Sequence, residues 1–101
     1  MFERGKRLER PPFVLLWSLT PHVRKVGFTV SRQIRGAVNR NRARRRLREA
    51  YRSRDVSHPV DTSIVLIARV PALTGPFPTL VQAVDDVMRQ LGRLRARADS
   101  V

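Results

Sequence analysis

The chain has 101 residues, enough for one small domain with a single modest core, and it carries a formal charge of +13. Its 42% hydrophobic content is that of a folded protein, and the absence of cysteine excludes disulfides and thiolate metal sites. No apolar run approaches the ~20 residues of a membrane span, so the charge points to a polyanionic partner, nucleic acid before membrane.

Residues 13–19, FVLLWSL, form an apolar run of strand formers between Pro11-Pro12 and Thr20-Pro21 and read as a buried strand. Residues 25–31, KVGFTVS, alternate: Val26, Phe28 and Val30 share one face, and Lys25, Gly27, Thr29 and Ser31 share the other. Joined through Thr20 to Val23, the two runs read as an antiparallel hairpin.

Residues 37–54 contain neither Pro nor Gly and are rich in helix formers. At about 100° per residue, Ala43, Leu47, Ala50 and Tyr51 share an apolar stripe. Arg44, Arg48, Asn41, Arg52 and Arg45 fill the adjoining arc, and Arg42 and Arg46 lie behind, near Glu49. Val38 falls off the stripe, so either the helix starts later, with Asn39 as a candidate cap, or Val38 meets another element. Seven arginines stand between residues 40 and 52, and like charges this close repel each other. The rest of the chain does not offset them: residues 1–54 hold 16 Lys or Arg against 3 Asp or Glu, and residues 55–101 hold 5 against 5. A phosphate backbone resolves the repulsion, because each neutralised phosphate releases counterions. Arg32 and Arg35 extend the positive surface toward the preceding strand.

Residues 63–70, SIVLIARV, are apolar on both faces and read as a central strand. Pro71, Gly75, Pro76 and Pro78 mark a loop, and from Leu80 a helix buries Leu80, Ala83, Val84, Val87, Leu91 and Leu94, with Thr79 and Gln82 as a capping box. The charges of this last helix read as a solvated face.

A search for a protein-borne active site finds no catalytic constellation. His22 and His58 stand in no metal-ligand spacing and read as surface residues. Asp85 and Asp86 are adjacent, so a helix turns them about 100° apart, unsuited to a two-metal clamp. Neither a P-loop, a Rossmann glycine pattern nor a nucleophile elbow is present. Phe13, Trp17, Phe28 and Tyr51 read as core.

Residues 25–52, KVGFTVSRQIRGAVNRNRARRRLREAYR, resemble the bacterial ribonuclease P protein family. That family shows an R-V-G-hydrophobic-x-V-S strand, a basic G-x-A-V link and R-N-x-x-[KR]-R-x-x-R on a helix. Gly27, Ser31, Gly36, Ala37, Val38, Arg40, Asn41, Arg44, Arg45 and Arg48 fit this pattern. DTSIVLIAR resembles the family's next strand, and residues 79–95 its last helix.

The resemblance implies an α/β (α+β) domain over residues 1–101, with a mixed sheet and a left-handed β-α-β crossover, similar to the second domain of ribosomal protein S5. It implies the protein subunit of an endoribonuclease whose catalytic groups lie on a partner RNA. That catalytic RNA cleaves precursor tRNA with Mg²⁺ bound mainly by the RNA, releasing the mature 5′ end. The expected partners are ribonuclease P RNA and precursor tRNA, in the cytoplasm, with neither membrane nor DNA.

The expected RNA-binding residues are Arg32, Arg35, Arg40, Asn41, Arg44, Arg45, Arg48 and Arg52. Phe2, Phe13 and Phe28 are the candidates for a cleft between sheet and helix that holds the single-stranded 5′ leader. Two departures bear on that cleft. MFERGKRLERPP resembles only the last turn of the family's first helix plus a connection, and Leu16 stands where the family often has tyrosine. The expectation is that the native product begins upstream of Met1 or that this chain binds leader poorly. The alternative reading is a small basic ribosomal, rRNA-binding protein. A DNA-binding helix-turn-helix is disfavoured because residues 13–31 read as strands.

Overall fold

Alternation and helical periodicity sort the chain into seven elements among the residues described. A computed structural model describes residues 6–99 and gives the order β1 (Lys6–Arg10), β2 (Phe13–Leu19), β3 (Lys25–Val30), α1 (Ala37–Arg52), β4 (Thr62–Ala68), α2 (Val70–Thr74) and α3 (Phe77–Asp99). The strands form one mixed sheet in the order β1-β2-β4-β3. β1 with β2 and β2 with β4 are antiparallel, and β3 with β4 is parallel. The β3-α1-β4 crossover therefore joins parallel neighbours.

The hairpin expected from residues 13–31 does not form, because β4 lies between β2 and β3. β4 carries aliphatic residues on both faces and takes the centre, where both edges are hydrogen-bonded, while Lys25 and Thr29 suit β3 to the edge. The link after β2 passes around the start of β4 instead of folding back. Thr20 N–H donates to the Asp61 carbonyl at 2.8 Å, and His22 N–H to the Asp61 carboxylate at 2.9 Å.

Residues 6–10, expected as the last turn of a helix and a connection, form a strand instead. Leu8, the one apolar residue of KRLER, stands opposite Leu15 and packs against the core, and the flanking charges stay in water. One apolar residue among charges cannot supply a helical stripe, but it suffices for an edge strand. Phe2 lies outside the described residues.

The pleat divides the sheet sharply. Phe13, Leu15, Trp17, Ile64, Leu66 and Ala68 are buried on one face against Ala43, Leu47, Ala50 and Tyr51 of α1 and Leu80, Val84, Val87, Met88 and Leu91 of α3. Each large side chain so buried contributes roughly 1.5–3 kcal/mol. Val14, Leu16, Val65 and Ile67 point to the other face and take no part in this core.

Helix boundaries differ from the expected ones for local reasons. Gly36, at φ 88°, sets the start of α1, a backbone conformation that suits glycine. Asn39 is thus inside the first turn, its side chain donating to the Arg35 carbonyl at 3.3 Å, and not a cap. The helix ends at Arg52, within the stretch free of Pro and Gly. Pro71, compatible with a first helical turn, lies in α2 where a loop was expected. α3 starts at Phe77, so Thr79 is already helical and Gln82 donates to Asp86 at 3.0 Å instead of closing a capping box.

Candidate nucleic-acid interface

The arginines of α1 fall into two groups that sequence spacing alone does not separate. Arg40 is a structural clamp: its guanidinium donates to the carbonyls of Ser31 and Ile34, both at 2.9 Å, and of Val30 at 3.3 Å. It fastens the turn after β3 to the helix, so in the free protein its guanidinium is already engaged. Arg46 likewise donates to the carbonyls of Ala72, at 2.8 Å, and Gly75, and lies over the Phe77 ring.

The second group faces water. Arg32, Arg35, Asn41, Arg45 and Arg52 are exposed, and Arg44 and Arg48 are half-buried beside the core stripe. Among the described residues, none of these arginines makes an ion pair. The first turn of α1 holds no acidic residue and no side chain caps it, so the amide end of the helix adds to the same positive field. This arrangement is electrostatically unfavourable unless phosphates neutralise it.

The far end of α1 is held by a buried polar chain that the sequence reading missed. His58, expected at the surface, is only 6% exposed. Its Nε2 lies 3.0 Å from the Thr62 carbonyl, which can only accept, so Nε2 carries the proton. Nδ1 then accepts from the Tyr51 hydroxyl at 2.6 Å. Burial holds the His58 pKa below its ordinary value and raises that of Tyr51. Arg54 stacks on the Tyr51 ring at 3.7 Å, and Phe28 meets it edge-on at 5.6 Å.

The sheet face that no described residue covers is the second candidate surface. Its centre is aliphatic, with Leu16, Val65 and Gly27 in register, then Val14, Ile67 and Thr29. Each end is a depression with polar groups on its rim. One, of about 350 Å³, is lined by Ser18, Thr20, Lys25 and Ser63 among others. The other, of about 290 Å³, is lined by Arg7, Val14, Ser31, Gln33, Ile67 and Arg69. At that second end, one Glu9 carboxylate oxygen accepts from Arg7 at 2.7 Å and Arg69 at 2.5 Å. Hydrogen bonds from Arg7 and then Arg69 hold its carboxyl below the usual range. Arg7, Lys25 and Arg69 escaped the sequence reading because isolated cations on strands carry no spacing signal; only strand register brings them to one face.

The expected cleft aromatics divide. Phe13 is fully buried on the helix-covered face and is core, because its place in β2 puts it opposite Ala68 beneath the helices. Phe28 is half-buried where edge strand β3 meets α1 and remains beside the basic arc. Among the described residues, no aromatic side chain lies on the open face.

Possible metal donors are already engaged or dispersed. Asp85 accepts from the Asp55 N–H at 3.0 Å and Asp86 from Gln82, and no group of three His, Asp or Glu suited to a metal occurs among the described residues. These residues do not fit a Mg²⁺ site. No described helix is long and apolar enough to cross a membrane.

Comparison with known proteins agrees with this architecture. Residues 1–92 match the family model described as Ribonuclease P. The ribonuclease P protein component of Symbiobacterium thermophilum is 45% identical over 71 residues, spanning 70% of this chain and 62% of that relative. That of Gluconacetobacter diazotrophicus is 36% identical over 92 residues, spanning 88% and 79%. Among solved structures, the RNase P protein from Thermotoga maritima superposes with a TM-score of 0.73 at 25% identity, covering 88% of this chain and 86% of that one. The chain belongs to the ribonuclease P protein family.

Proposed function

We propose that this chain is the protein subunit of a ribonuclease P, binding a catalytic RNA and the 5′ leader of precursor tRNA. The observation that carries the reading is the row of arginines on α1 without ion pairs in a chain of this family. Arg44, Arg45, Arg48 and Arg52 neutralise phosphates of the folded RNA, Asn41 adds a neutral hydrogen-bonding group, and Arg32 and Arg35 continue that contact from the turn that Arg40 fastens. The open sheet face suits an extended single strand: its aliphatic centre takes sugar and base surface, and Lys25 at one end and Arg7 with Arg69 at the other take phosphates. Phe28 offers an edge of aromatic surface between the two regions.

Cleavage chemistry belongs to the RNA partner, which also holds the Mg²⁺. This chain's part is to bind, orient and reduce the ionic screening that the RNA otherwise draws from solution. Family membership leaves the ribosomal alternative without a supporting observation.

The test is equilibrium binding of the chain to ribonuclease P RNA across a salt series. A steep log–log decline, flattened by losing Arg44, Arg45 or Arg48, supports the reading. Affinity indifferent to salt and to these residues contradicts it.

A further inference from the structure

We propose that Glu9 is a built-in anion that holds the place of an RNA phosphate between Arg7 and Arg69, so that a bound strand must displace it. The proposal rests on the open-face reading above and adds a specificity device to it. Residues 1–54 contain three acidic residues, and this one lies on β1 at the register of Val14, on a face where the charged residues lining the two depressions, Arg7, Arg69 and Lys25, are all basic. A single carboxylate oxygen takes both guanidiniums, at 2.7 and 2.5 Å. Arg69 is steadied by a second bond to the Arg10 carbonyl at 3.3 Å, so it stays in place when the carboxylate leaves, while the more exposed Arg7 is free to follow the incoming phosphate.

Exposure makes the exchange feasible. The Arg7, Glu9 and Arg69 side chains are 60%, 49% and 34% exposed, and ion pairs in water at such exposure hold weakly. A phosphodiester offers the same guanidinium-accepting oxygens, so it can replace the carboxylate without rebuilding the site. A glutamate carboxyl is ionised at neutral pH, and hydrogen bonds from Arg7 and Arg69 lower its pKa further. Glu9 therefore lowers the attraction for any passing single strand, whereas a strand tethered through RNA already held on α1 reaches the site at high effective concentration. The device favours anchored leaders over unanchored RNA.

The test compares Glu9→Gln with the parent chain on a short unstructured single-stranded RNA. Releasing one further cation for a phosphate contact steepens the log–log salt slope by about 0.7 and tightens binding about 5-fold at 0.1 M salt. Glu49→Gln makes the same charge change away from the Arg7–Arg69 pair and should give less than half that gain. Unchanged or weaker binding by Glu9→Gln, or an equal gain from Glu49→Gln, overturns the proposal. Arg7→Ala and Arg69→Ala separate the two layers of argument. If both weaken the parent's binding but Glu9→Gln gains nothing, only the place-holding role falls. If neither matters, the open face is not the strand's site and both readings fall.

Discussion

The Tyr51 hydroxyl donates to Nδ1 of His58 at 2.6 Å, and the opposite ring nitrogen donates to the Thr62 carbonyl, so a neutral imidazole ties the end of α1 to the start of β4. Protonation would put a second hydrogen on a ring whose partner already donates to it, beside Arg54 and Arg24. The folded-state pKa lies below 6.5, so between these values the unfolded chain binds more protons than the folded one. Stability is therefore full above pH 6.5 and falls as the pH drops through that value toward the folded pKa. Urea unfolding at pH 7.5 and 5.5 checks the sign: the parent should lose stability and His58→Gln should change less across the same window. Tyr51→Phe should cost about 1–3 kcal/mol at neutral pH by leaving Nδ1 unpaired.

Arg40 and Arg45 should fail in different ways. Arg40→Ala strips a charged donor from three carbonyls and should lower stability by about 1.5–3 kcal/mol. Arg45→Ala should leave the unfolding midpoint in place while flattening the salt dependence of RNA binding by about 0.9 for a lost phosphate contact. Thermal melts and salt titrations of the two variants decide this. An Arg40→Ala protein as stable as its parent would contradict the clamp.

Arg95 and Arg93 should also diverge, although the sequence reading treats both as parts of one solvated face. The Arg95 side chain is 17% exposed, pairs with Asp61 at 3.2 Å and donates to the Val60 carbonyl at 3.1 Å. Arg95→Ala should cost about 1 kcal/mol of stability, and Arg93→Ala, at an exposed position, should cost almost nothing. Equal melting midpoints would contradict the assignment.

What the sequence disclosed, and what it hid, follows from the range of the interactions. The α1 stripe of Ala43, Leu47, Ala50 and Tyr51 was legible because helical periodicity is local, and all four are buried. Strand neighbours were not, because Thr20–Arg24 can close a hairpin or pass around β4, and only the later strand decides between them. The partners of Arg40 lie within ten residues, but they are carbonyls and carry no side-chain signal. Burial of His58 depended on Tyr51 and Thr62 from different elements converging on one ring.

The open face and α1 should be separable by one substitution. Leu16, half-buried at the aliphatic centre of the face, stands in register with Val65. Leu16→Glu places a negative charge there and should reduce the preference for leader-bearing over leaderless precursor tRNA several-fold, leaving affinity for ribonuclease P RNA close to the parent's. Paired binding assays on the two precursors provide the measurement, and an unchanged leader preference would move the leader off this face.

The central claim is that this chain assists an RNA catalyst through charge and has no cleavage chemistry of its own. Its most direct test is cleavage of precursor tRNA by ribonuclease P RNA over a Mg²⁺ series, with the protein, without it, and with the protein alone. The account predicts that the protein lowers the Mg²⁺ required by the RNA and cleaves nothing by itself. Metal-dependent cleavage by highly purified protein free of RNA, or a Mg²⁺ requirement that the protein leaves unchanged, would contradict it.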